Sequence, residues 1–180
     1  MGVLYEPIPL NPGLKEAAPL FNQNENYGKA KDHLEAAIRI NPMDSHYFVQ
    51  LAKSHLHFNQ VKQATALLNH SLKINPNNES ALQLKSLLEQ QTGTKQEAHS
   101  LADKALNLSP EDAHAHLVKA TLFWKNKNFE AAESHLETAV QLETQNQNIL
   151  ALWLESRTRN IPKWKTPINL IAGNSQGLIR

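Results

Sequence analysis

The sequence predicts an all-α protein built from repeated pairs of helices. Three prolines, Pro42, Pro76 and Pro110, follow one another at intervals of 34 residues. Each ends a short segment in which an apolar residue precedes a polar one: INP, INP and LSP. Between the prolines, apolar residues recur at three- and four-residue spacing, as one face of a helix requires. A fixed period of this length is typical of helical repeat arrays, so the period predicts the architecture of the central region.

The bulk composition narrows the class of protein. The chain has 180 residues, which is enough for one domain with a core of its own. Its apolar fraction of 41% and its net charge of +1 indicate neither a membrane span nor a nucleic-acid partner. The absence of cysteine excludes disulfides and thiolate chemistry. No basic start followed by an apolar run is present, so we expect no signal peptide and a cytoplasmic location.

We expect three parts in the chain. Residues 1–25 contain Pro7, Pro9, Pro12 and Pro19, which forbid a long helix because proline lacks an amide donor and clashes with the preceding turn. This segment is predicted to be an irregular N-terminal arm, followed by the helical array over residues 26–158. Residues 159–180 are predicted to form an extended, basic tail, since prolines favour an extended path and no acidic residue occurs there.

The array divides into eight predicted helices. Asp44 offers a side-chain oxygen to the free amides of the helix that follows it, and good N-cap residues recur at this position as Asn78, Asp112 and Asn146. The second helix of each pair begins after another repeated polar position, Asn26, Gln60, Thr94 or Asn128. The predicted ranges are 27–40, 45–57, 61–74, 79–91, 95–108, 113–126, 129–142 and 147–158.

Small residues recur where neighbouring helices must touch. A small side chain lets two helix axes approach to about 8 Å, whereas a large one forces them apart. Three positions of the repeat carry small residues in successive units. They are Ala30, Ala64, Ala98 and Ala132; Ala37, Ser71, Ala105 and Ala139; and Ala52, Ser86 and Ala120.

These features resemble the tetratricopeptide repeat (TPR) family. Its 34-residue helix-turn-helix units carry small residues at the eighth, twentieth and twenty-seventh positions and a proline near the thirty-second. The resemblance covers residues 27–157 and implies an α-solenoid, a right-handed superhelix of about three to four repeats plus a C-terminal capping helix. It also implies a non-catalytic module or scaffold that binds a protein partner. The sequence departs from the family pattern at Lys85 and Glu89, where apolar residues are expected.

The first helix of each unit presents a candidate binding face. At 100° per residue, the second, fifth, ninth, twelfth and thirteenth positions lie opposite the packing positions. In the TPR family that face lines a concave groove in which peptides bind. An extended peptide or a helix fits its mixture of apolar, amide and basic groups, with Leu117 and Trp124 filling pockets. The alternative is that the same face packs against the N-terminal arm or the tail.

The predicted groove residues come from three successive units and the last helix. The set is His46, Val49, Lys53, Leu56, His57, Gln83, Leu87, Gln90, His114, Leu117, Thr121, Trp124 and Lys125, with Ser80, Gln91, Asn148, Ala151, Glu155 and Arg159 at the remaining positions.

One subfamily of TPR proteins holds a C-terminal carboxylate with lysine, asparagine and arginine side chains. The matching positions here are Val49, Lys53, Leu84, His114 and Val118. Only Lys53 carries a suitable charge, and it stands where that subfamily has asparagine. We therefore do not expect this form of carboxylate recognition.

The nine histidines raise the possibility of a metal site. His55 and His57, like His114 and His116, are two residues apart, so their side chains point about 200° apart on a helix. Zinc requires ligands that converge at about 2.1 Å. The remaining possibility for a metal site is that His46, His57 and His114 converge across the groove. We expect no metal and no cofactor. Protonation near pH 6 would make the groove more basic.

The tail contains one motif of catalytic type. Residues 173–177 fit G-x-S-x-G around Ser175, the pattern of a nucleophile elbow. No sheet precedes it and no histidine or acidic residue follows it, so Ser175 has no base to activate it. We expect no catalytic residue and no enzyme activity, and the alternative is that the motif begins a second domain.

The last predicted helix is apolar on nearly every side. It contains Ile149, Leu150, Leu152, Trp153 and Leu154, whereas a terminal helix of an array normally has a polar outer face. Something is therefore expected to cover it. The candidates are the tail, a partner, a further domain, or a second copy of the chain in a homo-oligomer. A regulatory or substrate-docking domain of a larger enzyme is the alternative to a free-standing interaction module.

Overall fold

The computed structural model describes residues 27–157, apart from the side chains of Tyr27, Glu155 and Arg157. This part of the chain forms eight α-helices and no strand. The predicted arm (1–25), the tail (159–180) and the motif at 173–177 lie outside it. The helices are α1 (Tyr27–Ile40), α2 (Ser45–His57), α3 (Val61–Ile74), α4 (Glu79–Thr92), α5 (Lys95–Leu108), α6 (Ala113–Lys125), α7 (Phe129–Leu142) and α8 (Gln147–Arg157).

Helices α2–α3, α4–α5 and α6–α7 form three packed pairs, and α1 and α8 flank them. The all-α solenoid is therefore confirmed, with boundaries within one residue of those predicted. The first helices begin at the repeated polar residues. The side-chain oxygens of Asp44, Asn78, Asp112 and Asn146 all accept hydrogen bonds from backbone amides two or three residues further on. Each such cap stabilises its helix by about 1 kcal/mol.

The second helices differ in how they begin. The side chains of Thr94 and Asn128 accept hydrogen bonds from amides of α5 and α7. Gln60 occupies the same position before α3 but makes no cap bond with its side chain. Its Oε1 lies 2.5 Å from Nδ1 of His55 instead. Glutamine has one methylene more than the residues that cap well, so its amide reaches past the helix end.

The small residues of the repeat lie at the helix contacts, as predicted. Every member of the three sets is at most 2% exposed. Larger apolar residues join helices α2 to α6 in one cluster, to which Val49 of α2, Leu68 of α3, Leu84 of α4 and Val118 of α6 belong. Each pair therefore buries apolar surface against the next one, which is how a repeat array stabilises units that have no core of their own.

Polar contacts also hold neighbouring pairs in register. Asn78 Nδ2 donates to Ser45 Oγ at 2.9 Å, and Ser71 Oγ donates to the Ser45 carbonyl at 2.9 Å. Lys104 Nζ donates to the Pro76 carbonyl at 2.7 Å. The bonds of Asn78 and Lys104 link neighbouring pairs, whereas the Ser71 bond joins α3 to α2 within one pair.

Candidate functional site

The face predicted to line the groove, called the inner face below, contains a cleft to which three successive units contribute. Lys53 comes from α2, Gln83 from α4 and His114 from α6, so each helix pair supplies one predicted groove residue. The cleft has a volume of about 230 Å³. Its lining consists of Lys53, Ser80, Gln83, Leu84, Asp112 and His114.

Lys53 is the cationic group of this cleft. Its side chain is partly buried, and burial lowers the pKa of its ammonium group. Among the described residues it forms no ion pair with a carboxylate. Burial removes part of the water that stabilises the charge. An acidic group brought by a ligand would restore that stabilisation through an ion pair.

The carboxylate of Asp112 lies in the same cleft but is already engaged. One oxygen accepts from the His114 amide at 2.9 Å and thereby caps α6. The other accepts a hydrogen bond from Nε2 of Gln83. The ring of His114 lies 3.7 Å from Glu143 Oε1 and 3.9 Å from Asp112 Oδ1, so it forms ion pairs there when it is protonated. The cleft thus contains the Lys53 cation and, separately, the hydrogen-bonded network of Asp112, Gln83 and His114.

The apolar members of the predicted set form the floor of the inner face. Val49, Leu56, Leu87 and Leu117 are at most 7% exposed. Leu117 packs in a cluster with residues of α7 and α8, and the hydroxyl of Thr121 donates to its carbonyl at 2.9 Å. These residues shape the surface from beneath. Contact of any of them with a partner stays a prediction.

The polar and aromatic members lie at or near the surface. Trp124 stacks edge-on against Phe129 with ring centroids 5.0 Å apart, and Gln90 Nε2 donates to Asn126 Oδ1 at 3.3 Å. The side chain of Glu155 and the whole of Arg159 lie outside what the structure describes. The exposed residues of the set are His46, His57, Gln91, His114, Lys125, Asn148 and Ala151; Lys53, Ser80, Gln90 and Trp124 are partly exposed, and Gln83 is buried.

The sequence reasoning missed a second group of polar residues, on the other side of α6. His116, Lys119 and Phe123 stand at packing positions of that helix, and His99 of α5 and His135 of α7 meet them. Together with Asp103, these residues are called the histidine cluster below. The available signal was a histidine and a lysine at positions of α6 that should be apolar. Their partners lie on other helices, so the sequence pattern alone does not pair them.

Neither polar group forms a metal centre. Within residues 27–157, no set of three or more histidine, aspartate or glutamate side chains is arranged to hold a metal ion. The two rings that come closest, His116 and His135, lie beside the Lys119 ammonium group, whose charge repels a cation. In the same part of the chain, no helix has the length and apolar character needed to cross a membrane.

Comparison with known proteins assigns the class. The sequence pattern of the tetratricopeptide repeat family matches residues 21–88 and 92–152, so the chain belongs to this family. Proteins of this class commonly serve as protein–protein interaction modules. No curated protein matches the chain in sequence.

Solved structures of TPR proteins share the fold. TTC0263, a thermophilic TPR protein of Thermus thermophilus, is 13% identical and superposes with a TM-score of 0.73, covering 86% of this chain and 82% of that one. The structure of pilF of Pseudomonas aeruginosa is 16% identical in sequence and superposes with a TM-score of 0.70, covering 94% of this chain and 77% of that one. YrrB, described as a TPR protein with an unusual peptide-binding site, is 22% identical and superposes with a TM-score of 0.58, covering 77% of this chain and 72% of that one. At these identities the similarity establishes the fold alone.

Proposed function

We propose that the array binds an extended peptide segment of a protein partner along its inner face, with an acidic group of that peptide at Lys53. The observation that carries this proposal is the cleft in which Lys53, Gln83 and His114 converge from three successive units. A ligand that spans this cleft contacts all three helix pairs at once. Several contacts along one chain add up to useful affinity even where each is weak.

The charges of the inner face favour an acidic peptide. Lys53 and Lys125 are cationic, and His46, His57 and His114 become so when they are protonated. The acidic residue in the cleft, Asp112, already caps α6 and accepts from Gln83. An acidic side chain and a C-terminal carboxylate present the same group to Lys53, so both are candidate sources.

Amide groups on the same face can recognise a peptide backbone. Oε1 of Gln90 is buried and has no hydrogen-bond partner among the described residues, whereas its Nε2 donates to Asn126. A buried acceptor without a partner costs free energy, which is recovered if the side chain turns outward to a donor from a ligand. A backbone N–H of an extended peptide is such a donor.

Binding without chemistry is the function that fits these groups. The side chains of Lys53, Gln83 and His114 can hold a ligand through charge and hydrogen bonds. We therefore propose an adaptor or scaffold that recognises one protein segment and brings it to an assembly.

A display library of random peptides tests this proposal. We expect enrichment of peptides that contain aspartate or glutamate, with affinities in about the micromolar range. Lys53→Glu should weaken the enriched peptides at least about tenfold, because it replaces attraction by repulsion in the cleft. Lys73→Glu makes the same charge change at an exposed site on α3 and should leave binding unchanged.

Two controls make the result decisive. All variants must show equal helicity by circular dichroism, and each peptide is tested with a free and an amidated C-terminus to separate the two sources of carboxylate. Failure to enrich any peptide, or equal binding by Lys53→Glu and the unmodified protein, would overturn the proposal.

Self-association through α8 is a second candidate function. Leu154 is 50% exposed and stands at the repeat position that is occupied elsewhere by Ala52, Ser86 and Ala120. We propose that a second copy of the chain packs against this leucine. Light scattering should then show a dimer that dissociates in Leu154→Asp, and a monomer at all concentrations would exclude it.

A further inference from the structure

The histidine cluster contains a direct hydrogen bond between two imidazole rings. Nδ1 of His116 lies 3.1 Å from Nδ1 of His135, and Nε2 of His116 lies 3.0 Å from the Pro110 carbonyl oxygen. The first contact joins α6 to α7, and the second joins α6 to the turn that precedes it. The pair therefore holds three segments of the chain together.

The carbonyl group fixes the protonation of both rings. A carbonyl oxygen only accepts, so Nε2 of His116 carries the proton that it donates to Pro110. In the neutral ring, Nδ1 of His116 is then an acceptor. Nδ1 of His135 must consequently donate to it, which leaves Nε2 of His135 without a proton. This arrangement exists only while Nδ1 of His116 is unprotonated.

Charged and aromatic groups surround the pair. The ring of Phe123 stacks on His135 with centroids 5.5 Å apart and contacts His99 at 5.1 Å. The Lys119 ammonium lies 4.9 Å from the centre of the Phe123 ring and 2.6 Å from Asp103 Oδ1. The cluster therefore already contains one nearly buried cation, the ammonium group of Lys119.

Helix α8 packs against α7, where Ile149 and Leu152 join Leu117 and Leu136 in a separate apolar cluster. The charged and titratable groups that act on His135 are His116 and Lys119 of α6 and Asp103 of α5. Only one of these groups, the carboxylate of Asp103, is acidic, and it already forms an ion pair with Lys119.

Added protons therefore work against this arrangement in two ways. A proton on Nε2 of His135 places a second positive charge near Lys119. A proton on Nδ1 of His116 reverses the hydrogen bond, because His135 must then change tautomer and accept, and it likewise adds a positive charge beside Lys119. Burial and the neighbouring His116 and Lys119 lower the pKa of His135 to about 4. Burial and then Lys119 also lower the pKa of His99, which Asp103 partly offsets.

We propose that the histidine cluster is an acid-sensitive joint between α5, α6 and α7, in the second and third helix pairs, which opens when the pH falls below the ordinary range of histidine. Opening separates α6 from α5 and α7 and exposes the rings to protons. Because α6 also carries His114 and Trp124 on the inner face, the joint couples acidification to the shape of the proposed binding groove. This regulation goes beyond peptide binding itself and is measurable without a ligand.

Amide hydrogen exchange between about pH 7.5 and about pH 5, corrected for intrinsic rates, tests the joint. The open population should rise about tenfold per pH unit below 6.5 for each histidine that gains a proton only when the joint opens. The loss of protection should be confined to α6 and α7 and absent from α2 and α3. His135→Phe keeps a ring against Phe123 but removes its titration, so the acid-dependent loss should become clearly smaller, with His99 accounting for what is left.

Matched variants separate this device from simple packing. His70→Gln removes an exposed histidine of α3 and should keep the acid response of the unmodified protein. If His135→Phe does not fold, the His135 ring is titrated by NMR in the unmodified chain. A titration near its ordinary value, protection that is equal at both pH values, or an undiminished acid response in His135→Phe would each overturn the proposal.

Discussion

The ammonium group of Lys119 lies 2.6 Å from Asp103 Oδ1, and the two side chains are 7% and 55% exposed. The pair is thus asymmetric, since nearly all the cost of desolvation falls on the lysine. Lys119 stands at a packing position of α6, where an apolar residue is expected. Its charge is tolerated there because Asp103 pairs with it and the face of Phe123 attracts it.

This asymmetry predicts opposite effects for the two partners. Asp103→Ala leaves a buried ammonium without its carboxylate and should lower the free energy of unfolding by about 1–3 kcal/mol, less than for a fully buried pair. Lys119→Met fills the same space without a charge to desolvate, so stability should stay unchanged or rise by about 1 kcal/mol. Urea unfolding measures both.

The double variant is the control for this interpretation. With Lys119→Met in place, Asp103→Ala should cost almost nothing, because the group it stabilised is gone. Equal losses for Asp103→Ala with and without the lysine would show that the aspartate acts through some other contact.

A second prediction concerns the backbone of the turn between α6 and α7. Lys127 has a φ of 61°, in the left-handed region where a β-carbon causes strain. Asn59, at the same position of an earlier unit, has a φ of 57°, but asparagine tolerates this region better. Lys127→Gly should therefore raise the free energy of unfolding by about 0.5–1 kcal/mol.

Lys127→Ala is the matched control for that prediction. It removes the same charge and long side chain but keeps the β-carbon, so it should give no such gain in thermal or urea unfolding. A gain of equal size in the alanine variant would assign the effect to charge rather than to φ.

The period of the sequence predicted local structure well, because caps, prolines and small residues act within a few residues of where they stand. Asp44 and Asn146 cap their helices as their residue types require. Contacts between units were harder to predict. Leu117 was assigned to the groove from its angular position on α6, yet it is 3% exposed because α7 and α8 close over it.

The histidine cluster shows the same limit. The packing of α6 against α7 brings His116 and His135 together, and the residues next to them in the sequence do not indicate this pairing. The cleft at Lys53 likewise depends on three helices that meet at one place. Angular position on a helix predicts a face, whereas the partner across that face depends on how successive pairs stack.

A third prediction tests the small-residue positions. Ala98 of α5 is fully buried where this helix contacts its neighbours. Ala98→Leu adds a branched side chain to a filled interface and should lower the free energy of unfolding by about 1–3 kcal/mol. Ala66→Leu places the same side chain at an exposed position of α3 and should change stability by less than about 0.5 kcal/mol. A similar small change for both would show that the interface can relax.

The last prediction concerns global stability in acid. The pKa of His135 is about 4 in the folded chain and about 6.5 in an unfolded one. Above pH 6.5 the ring is neutral in both states, so it makes no difference there. Between pH 6.5 and 4 the unfolded chain binds a proton that the folded chain does not, so the free energy of unfolding falls. Solvent screening at this half-buried ring limits the loss to about 1–2 kcal/mol.

Urea unfolding at successive pH values measures this loss, with His135→Phe as the comparison. The variant has no ring nitrogen to titrate, so its stability should fall less steeply than that of the unmodified protein through this window. The two curves should run parallel above pH 6.5, where packing alone distinguishes a histidine from a phenylalanine. Curves that stay parallel down to pH 4 would mean that His135 binds its proton equally well in both states, and the acid sensitivity would then have to come from groups outside the histidine cluster.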